Sequence, residues 1–257
     1  MESYMNRISN TGIVPVVKIL EKEDAYPLAK ALLNGGIDVI EVTYRSEHAT
    51  SAIQTISEQL PDMLVGAGTV LSVEQAKEAV EAGAKFIITP GFNTKVVQWC
   101  LDHDVEVYPG VSTASEVEMA LSMGLTQLKF FPAESSGGAK KLKDLSAPYA
   151  NVHFMPTGGI NTKNMHDYLS LPNVEAIGGS FMLPNDLVVA KDWDGIEALS
   201  KAAIKSLLDF QLIHVGINTN SPEESKQVTD TLCSLFHFTQ YTKPKSNFAG
   251  VGFEVLL

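Results

Sequence analysis

Positive charge is scarce in this chain. Lysine and arginine together number 19 against 30 acidic residues, a formal net charge of −11 over 257 residues. Arginine occurs only as Arg7 and Arg45. Phosphate-backbone binding needs clustered cations, so no nucleic acid partner is expected. Cysteine is equally rare: Cys100 and Cys233 lie far apart, without metal-ligand spacing. That argues against a disulfide framework and for inert core thiols in a reducing cytoplasm. The first residues, Met1-Glu2-Ser3-Tyr4-Met5-Asn6-Arg7, carry no apolar signal region. No run of about 18 apolar residues occurs, so neither a membrane span nor a membrane partner is expected. A G-x-G-x-x-G motif after the first strand-like segment is also missing, which disfavours an open doubly wound dinucleotide sheet.

What is present is a chain 45% hydrophobic and long enough for one large domain with an appendage. Short apolar, β-prone runs alternate with helical patterns. Strands are predicted at 13–18, 38–43, 63–65, 85–89, 105–108, 127–131, 152–155 and 174–177. Helices are predicted at 24–34, 47–59, 73–82, 94–102, 115–123, 138–145, 163–169 and 194–208. Strict βα alternation implies parallel strands, and eight such units predict an α/β (β/α)₈ TIM barrel over residues 1–208. Residues 209–257 have another texture and are expected to form a small α+β appendage. There, Leu212-Ile213-His214-Val215-Gly216-Ile217 reads as a strand. Asn220-Ser221-Pro222-Glu223-Glu224 reads as a capped helix start, the helix reaching Phe236, and 248–257 is strand-like again.

Lys129 stands inside the apolar run Gln127-Leu128-Lys129-Phe130-Phe131-Pro132-Ala133-Glu134. Burial disfavours an ammonium, and a neutral amine is a nucleophile able to form a Schiff base. Strand parity puts Gln127, Lys129 and Phe131 on one face, with Leu128 and Phe130 toward the helices. In the second strand, Val39, Glu41, Thr43 and Arg45 share a face opposite Ile40 and Val42. The polar set therefore points into the barrel, where a carboxylate can shuttle protons. Glycines cluster after three strands, in Gly66-Ala67-Gly68-Thr69, Thr157-Gly158-Gly159-Ile160 and Gly178-Gly179-Ser180. The last two follow the late strands after which barrels commonly bind phosphate.

These segments, together with Glu41-Val42-Thr43-Tyr44-Arg45, Thr89-Pro90-Gly91 and Tyr108-Pro109-Gly110-Val111-Ser112-Thr113, resemble class I 2-keto-3-deoxy-6-phosphogluconate (KDPG) and 4-hydroxy-2-oxoglutarate (KHG) aldolases. The resemblance covers roughly residues 8–208. It implies a homotrimeric barrel and Schiff-base chemistry on a small 2-oxo acid, without metal or cofactor. It implies Lys129 as the Schiff-base residue and Glu41 as the proton shuttle. Arg45 and Thr69 would hold the pyruvate carboxylate, and Pro90 and Phe131 would line the pocket. Gly158, Gly159, Gly179 and Ser180 would receive the phosphate end. Cleavage of 2-keto-3-deoxy-6-phosphogalactonate is the alternative, since these motifs do not spell the stereochemistry at C4. The tail resembles half of a vicinal-oxygen-chelate, or glyoxalase-like, module. That resemblance would make His214 and Glu254 metal ligands of a further, metal-dependent activity.

Each residue also has a plain structural reading. Lys129 could be an interface lysine, Glu41 its partner or that of Arg45, and Arg45 a surface ion-pair residue. Thr69 and Ser180 could be caps or turn residues, and His214 and Glu254 simply structural. His48, His103, His153 and His166 fall near helices or loops and are not expected in catalysis.

Overall fold

Parallel pairing of strands separated by helices builds the larger part of the protein. The computed structural model describes residues 4–209, 215–236, 239–243, 246–249 and 253–256. They fall into two compact units, Met1–Leu208 and Asp209–Leu257.

The first unit opens with helix α1 (Tyr4–Thr11). Strands β1 (Ile13–Val17), β2 (Val39–Thr43), β3 (Leu64–Gly68), β4 (Phe86–Ile88) and β5 (Glu106–Tyr108) follow. After them come β6 (Gly110–Val111), β7 (Gln127–Phe130), β8 (His153–Pro156) and β9 (Ile177–Gly179). A six-stranded sheet runs β5-β4-β3-β2-β1-β9 and a three-stranded one β6-β7-β8, parallel throughout. Pro109 separates β5 from β6, yet its carbonyl accepts the Lys129 N–H at 3.0 Å. Single parallel bridges, Phe154 to Val174 and Thr157 to Gly178, link β8 to the β9 side. The sheet therefore curls.

Helices α2 (Ala25–Asn34), α3 (Ala49–Gln59), α4 (Val73–Glu81), α5 (Thr94–Asp102), α6 (Ala114–Ser122), α7 (Gly138–Ser146) and α8 (Met165–Leu169) alternate with the strands. Two more, α9 (Asn185–Ala190) and α10 (Trp193–Leu208), end the unit. Their starts carry the local chemistry that stops a strand and begins a helix. Ser72 caps α4 and Asn93 caps α5. Thr113 and Glu116 form a reciprocal capping box on α6.

Side-chain parity sorts the core into two layers. Ile40, Val42, Leu128 and Phe130 pack outward under the helices. Val14, Val39, Leu64, Phe86, Ile88, Tyr108 and Met155 pack with Met5 and Ile8 of α1 in a separate, inner cluster. Helix α1 is fastened at the amino ends of the strands. Arg7 Nε donates to Asp38 at 2.8 Å, and the Tyr4 N–H donates to Glu106 at 2.9 Å. Burying Met5 and Ile8 stabilises this floor by roughly 1.5–3 kcal/mol each.

Several expectations shift by a few residues. The third strand does not stop at residue 65 but runs on through Gly68, because glycine is needed inside it. A Cβ on Gly66 would lie 2.1 Å from the Phe86 ring. The last strand begins at Ile177, and Val174 contributes one bridge. The predicted helix at 24–34 opens as a 3-10 turn, Lys22–Asp24, before α2. Helices α1 and α9 had no sequence-based counterpart.

In the second unit, β10 (Val215–Asn218), α11 (Pro222–Phe236), β11 (Gln240–Lys243), β12 (Ser246–Ala249) and β13 (Phe253–Leu256) form a sheet of order β10-β13-β12-β11. Strand β10 lies parallel to β13, and the other pairs are antiparallel. Helix α11 starts as its sequence predicts, with Ser221 Oγ accepting the Glu224 N–H at 3.1 Å. His214 lies outside the described residues. Glu254 sits on β13, in register with Gly216.

Candidate active site

Strand parity brings Lys129 and Glu41 face to face. Lys129 Nζ lies 3.2 Å from Glu41 Oε1, with the lysine 4% exposed and the glutamate 0%. The Phe131 ring centroid lies 5.2 Å from the same nitrogen. Glu41 thus pairs with Lys129, whereas Arg45 gives its Nε hydrogen to Thr43 Oγ1 at 3.1 Å. Desolvating two charges is costly unless each is fully hydrogen-bonded. Here it is not: Glu41 Oε2 is buried without a partner. An unpaired buried acceptor demands explanation, and a reacting hydroxyl group would satisfy it.

Glycine makes the carboxylate's place. A Cβ on Gly68 would stand 2.0 Å from Glu41 Oε1. Thr69, the next residue, is half-exposed and holds a left-handed φ of 54°. Such strain in a non-glycine residue gathers at ligand-binding turns. Pro90 follows β4, half-buried. Its carbonyl oxygen approaches so near that a Cβ on Gly110 would lie 2.2 Å away.

Arg45 lies just beyond the carboxyl end of β2 and is exposed. Thr43 Oγ1, the acceptor of its hydrogen bond, donates in turn to the Val17 carbonyl at 2.7 Å. Arg45, Lys18, Ser180 and Asn185 line one cavity of about 170 Å³. Gly158 and Gly159 form the turn after β8, with φ of 106° and 81°. Gly179 ends β9, and Ser180 follows it, exposed. Of the ten residues singled out for the aldolase site, Glu41 lies midway along β2, and the others lie in or just beyond the carboxyl-terminal halves of β2, β3, β4, β7, β8 and β9. Direct contact joins Lys129, Glu41 and Phe131, and a shared cavity joins Arg45 to Ser180.

Sequence reasoning passed over two residues. Thr157 is 5% exposed, and its Oγ1 has no partner. A hydroxyl residue directly ahead of a Gly-Gly turn was its available signal. Lys18 follows β1 with the same parity as Val14 and Val16, a cation at the carboxyl end of a strand. Among the described histidines, His48 lines a cavity with Arg45 and Lys18, while others make separate contacts. His103 stacks on Trp99 with ring centroids 4.5 Å apart, and His166 contacts the Ser206 carbonyl at 2.8 Å. Burial pushes the Cys100 thiol up to about 12, so it stays protonated and inert.

A buried amine–carboxylate pair at the carboxyl end of a curled parallel sheet defines a lyase of the aldolase class, and comparison with known proteins agrees. The family model "KDPG and KHG aldolase" matches residues 4–199. The 2-dehydro-3-deoxy-phosphogluconate aldolase of Treponema pallidum is 44% identical over 205 residues, 80% of this chain and 98% of that protein. The KHG/KDPG aldolase of Escherichia coli K12 is 44% identical over 199 residues, 77% of this chain and 93% of that protein. A crystal structure of KDPG aldolase from Legionella pneumophila superposes with a TM-score of 0.76 at 40% identity. It covers 79% of this chain and 99% of that one. In that structure pyruvate is captured at low pH as a covalent carbinolamine. The chain belongs to the KDPG and KHG aldolase family.

Proposed function

We propose that this protein is a Schiff-base aldolase that cleaves 2-keto-3-deoxy-6-phosphogluconate to pyruvate and glyceraldehyde 3-phosphate. It would also cleave 4-hydroxy-2-oxoglutarate to pyruvate and glyoxylate. One observation carries the reading: the Lys129 amine is buried 3.2 Å from a carboxylate whose second oxygen has no partner.

Glu41 takes one proton from the Lys129 ammonium, and the freed amine attacks the C2 carbonyl carbon, giving a carbinolamine. Glu41 returns that proton to the carbinolamine hydroxyl group, so water leaves and an iminium remains. Glu41 then takes the proton of the C4 hydroxyl group as the C3–C4 bond breaks, and the bonding pair flows into the iminium to make an enamine. The aldehyde departs. Glu41 returns its proton to C3, and water hydrolyses the iminium to pyruvate, leaving Lys129 as its ammonium. The carbinolamine captured in the Legionella relative is the type of adduct the first step requires.

Arg45 supplies a guanidinium fork for a carboxylate, and Thr69 presents its backbone at a strained turn beside it. Pro90 and Phe131 wall the pocket. Gly158, Gly159, Gly179 and Ser180 offer amide and hydroxyl donors to the phosphate, with Lys18 adding charge. Thr157 is assigned to a substrate hydroxyl group. In this reading β5 and β6 are halves of one strand, and the bridges at Thr157 and Phe154 complete an eight-stranded barrel. The homotrimer and the cytoplasmic location rest on the family and are part of the same proposal. So is a domain boundary at residue 208. The tail's βαβββ order, with parallel first and last strands side by side, supports a glyoxalase-like half-module.

Borohydride reduction in the presence of pyruvate tests the chemistry. The wild-type protein should gain a stable adduct on Lys129, and Lys129→Ala should gain none. Glu41→Gln should still trap pyruvate while its turnover falls by about 100-fold or more. Equal labelling of Lys129→Ala would refute the mechanism.

A further inference from the structure

Tyr168 is buried on α8, 1% exposed, and its hydroxyl group donates to Glu134 Oε1. Glu134 belongs to the loop after β7, three residues beyond Phe131, and is itself exposed. That loop is laced to the Gly158-Gly159 turn. The Ala133 N–H donates to the Thr157 carbonyl at 2.8 Å, and the Glu134 N–H donates to the Gly158 carbonyl at 3.1 Å. The Glu134 side chain lies directly against Gly159, where an added Cβ would be 2.6 Å from Glu134 Cγ. A carboxylate therefore sits beside the turn assigned to the phosphate, an arrangement unfavourable to a dianion unless the carboxylate is restrained.

We propose that Tyr168 is a positioning residue that secures phosphate binding by tying the Glu134 carboxylate to α8, off the amide donors of Gly158 and Gly159. The inference rests on the function proposed above. Released, the carboxylate would remain tethered against Gly159. A tethered group acts at an effective concentration in the millimolar range, enough to compete with substrate phosphate for the same donors. The tyrosine proton stays in place to hold it. Burial first, and then the hydrogen bond to Glu134 and its charge, push the Tyr168 hydroxyl above its ordinary value.

The test uses the full chain and three variants: Tyr168→Phe, Glu134→Gln and the double variant. Tyr168→Phe keeps the ring in its pocket and removes one hydroxyl group. It should raise KM for the phosphorylated substrate about tenfold with kcat held within about twofold, a loss of uniform binding. Inhibition by inorganic phosphate should weaken in parallel. Pyruvate concentration for half-maximal borohydride trapping should not change, since pyruvate lacks the phosphate end. Adding Glu134→Gln to Tyr168→Phe should restore KM, because the competing charge is gone. A KM defect that persists in the double variant would overturn the inference. So would a fall in pyruvate trapping equal to the KM effect, since both outcomes mark Tyr168 as packing alone. Failure of the aldolase reading is separate: the wild-type protein would then neither trap pyruvate nor cleave the substrate.

Discussion

Gly68 faces the Glu41 carboxylate so closely that a Cβ at position 68 would stand 2.0 Å from Oε1. The two residues sit on neighbouring parallel strands, β2 and β3, with Gly68 in register with Thr43. The carboxylate occupies the space the missing side chain leaves. Backbone choice on one strand thereby sets the position of the Glu41 carboxylate, the proposed general base, on the next.

Gly68→Ala should therefore act on chemistry before stability. Glu41 would have to move, and a displacement of about 1 Å at a reacting group can cost about 100-fold in turnover. Gly66→Ala makes the contrasting case. Its Cβ would lie 2.1 Å from the Phe86 ring, deep in the core, where overpacking costs about 1–3 kcal/mol. Paired kcat and thermal-unfolding measurements should separate the two. A Gly68→Ala protein with full turnover would dismiss the steric coupling.

Glu116 gives stability a pH dependence with a defined sign. Burial acts to raise its pKa. Hydrogen bonds from Ser112 and Thr113, through both backbone and hydroxyl groups, outweigh this and hold the carboxyl below its ordinary value. A depressed folded-state pKa adds stability that is complete above the unfolded value, about 4.3, and fades as pH falls through the folded value. Glu116→Gln can keep the capping box but loses the acceptor's charge at the helix start, and should lower Tm at pH 7 at a cost of about 0.3–1 kcal/mol. The gap to wild type should close as pH drops below about 4. A Tm difference independent of pH would contradict the assignment. The clasp anchors the loop after β6, whose Gly110 lies in register with Lys129.

Deletion of residues 209–257 should leave aldolase kcat/KM within about twofold. The Treponema relative aligns over 98% of its length with a 205-residue stretch, so the matching fold needs no such tail. Aldolase activity should likewise survive EDTA. If the deletion abolishes turnover, the tail takes part in the reaction, whereas loss in EDTA would mark a metal requirement.

Much of the site was legible because a strand has a strict period of two. Once Leu128 and Phe130 are assigned to the helices, Lys129 must point inward. The same counting from Ile40 and Val42 sends Glu41 to meet it. Glycine misled the reading where it served side chains on other strands. Gly66 and Gly68 look like the end of a strand, since glycine ordinarily weakens one. Their reason lies in Phe86 and Glu41, which are distant in sequence. Gly178 likewise gives way to Thr157, 2.2 Å from where its Cβ would be, which hid the true span of the last strand. Helix α1 was silent because Met5 and Ile8 are set among polar residues and acquire meaning only against the strand ends they cover. In the tail, the polar, proline-containing stretch between 240 and 249 gave no alternation from which to read the β11–β12 hairpin.

The floor built by α1 has a consequence for traffic. Met5 and Ile8, seated in the inner cluster, pack the amino-end side of the strands, so on the proposed mechanism substrate reaches Lys129 from their carboxyl ends. In the proposed mechanism pyruvate, bonded to Lys129, would be the inner of the two fragments and the phosphorylated aldehyde the outer. On the proposed mechanism the fragments must therefore depart in sequence, aldehyde first. Pyruvate should then inhibit competitively against substrate and the aldehyde noncompetitively, and the reverse pattern would rule this order out. Run backward, the proposed mechanism would load pyruvate before its aldehyde acceptor, so the bond-forming direction would begin with the enamine already made.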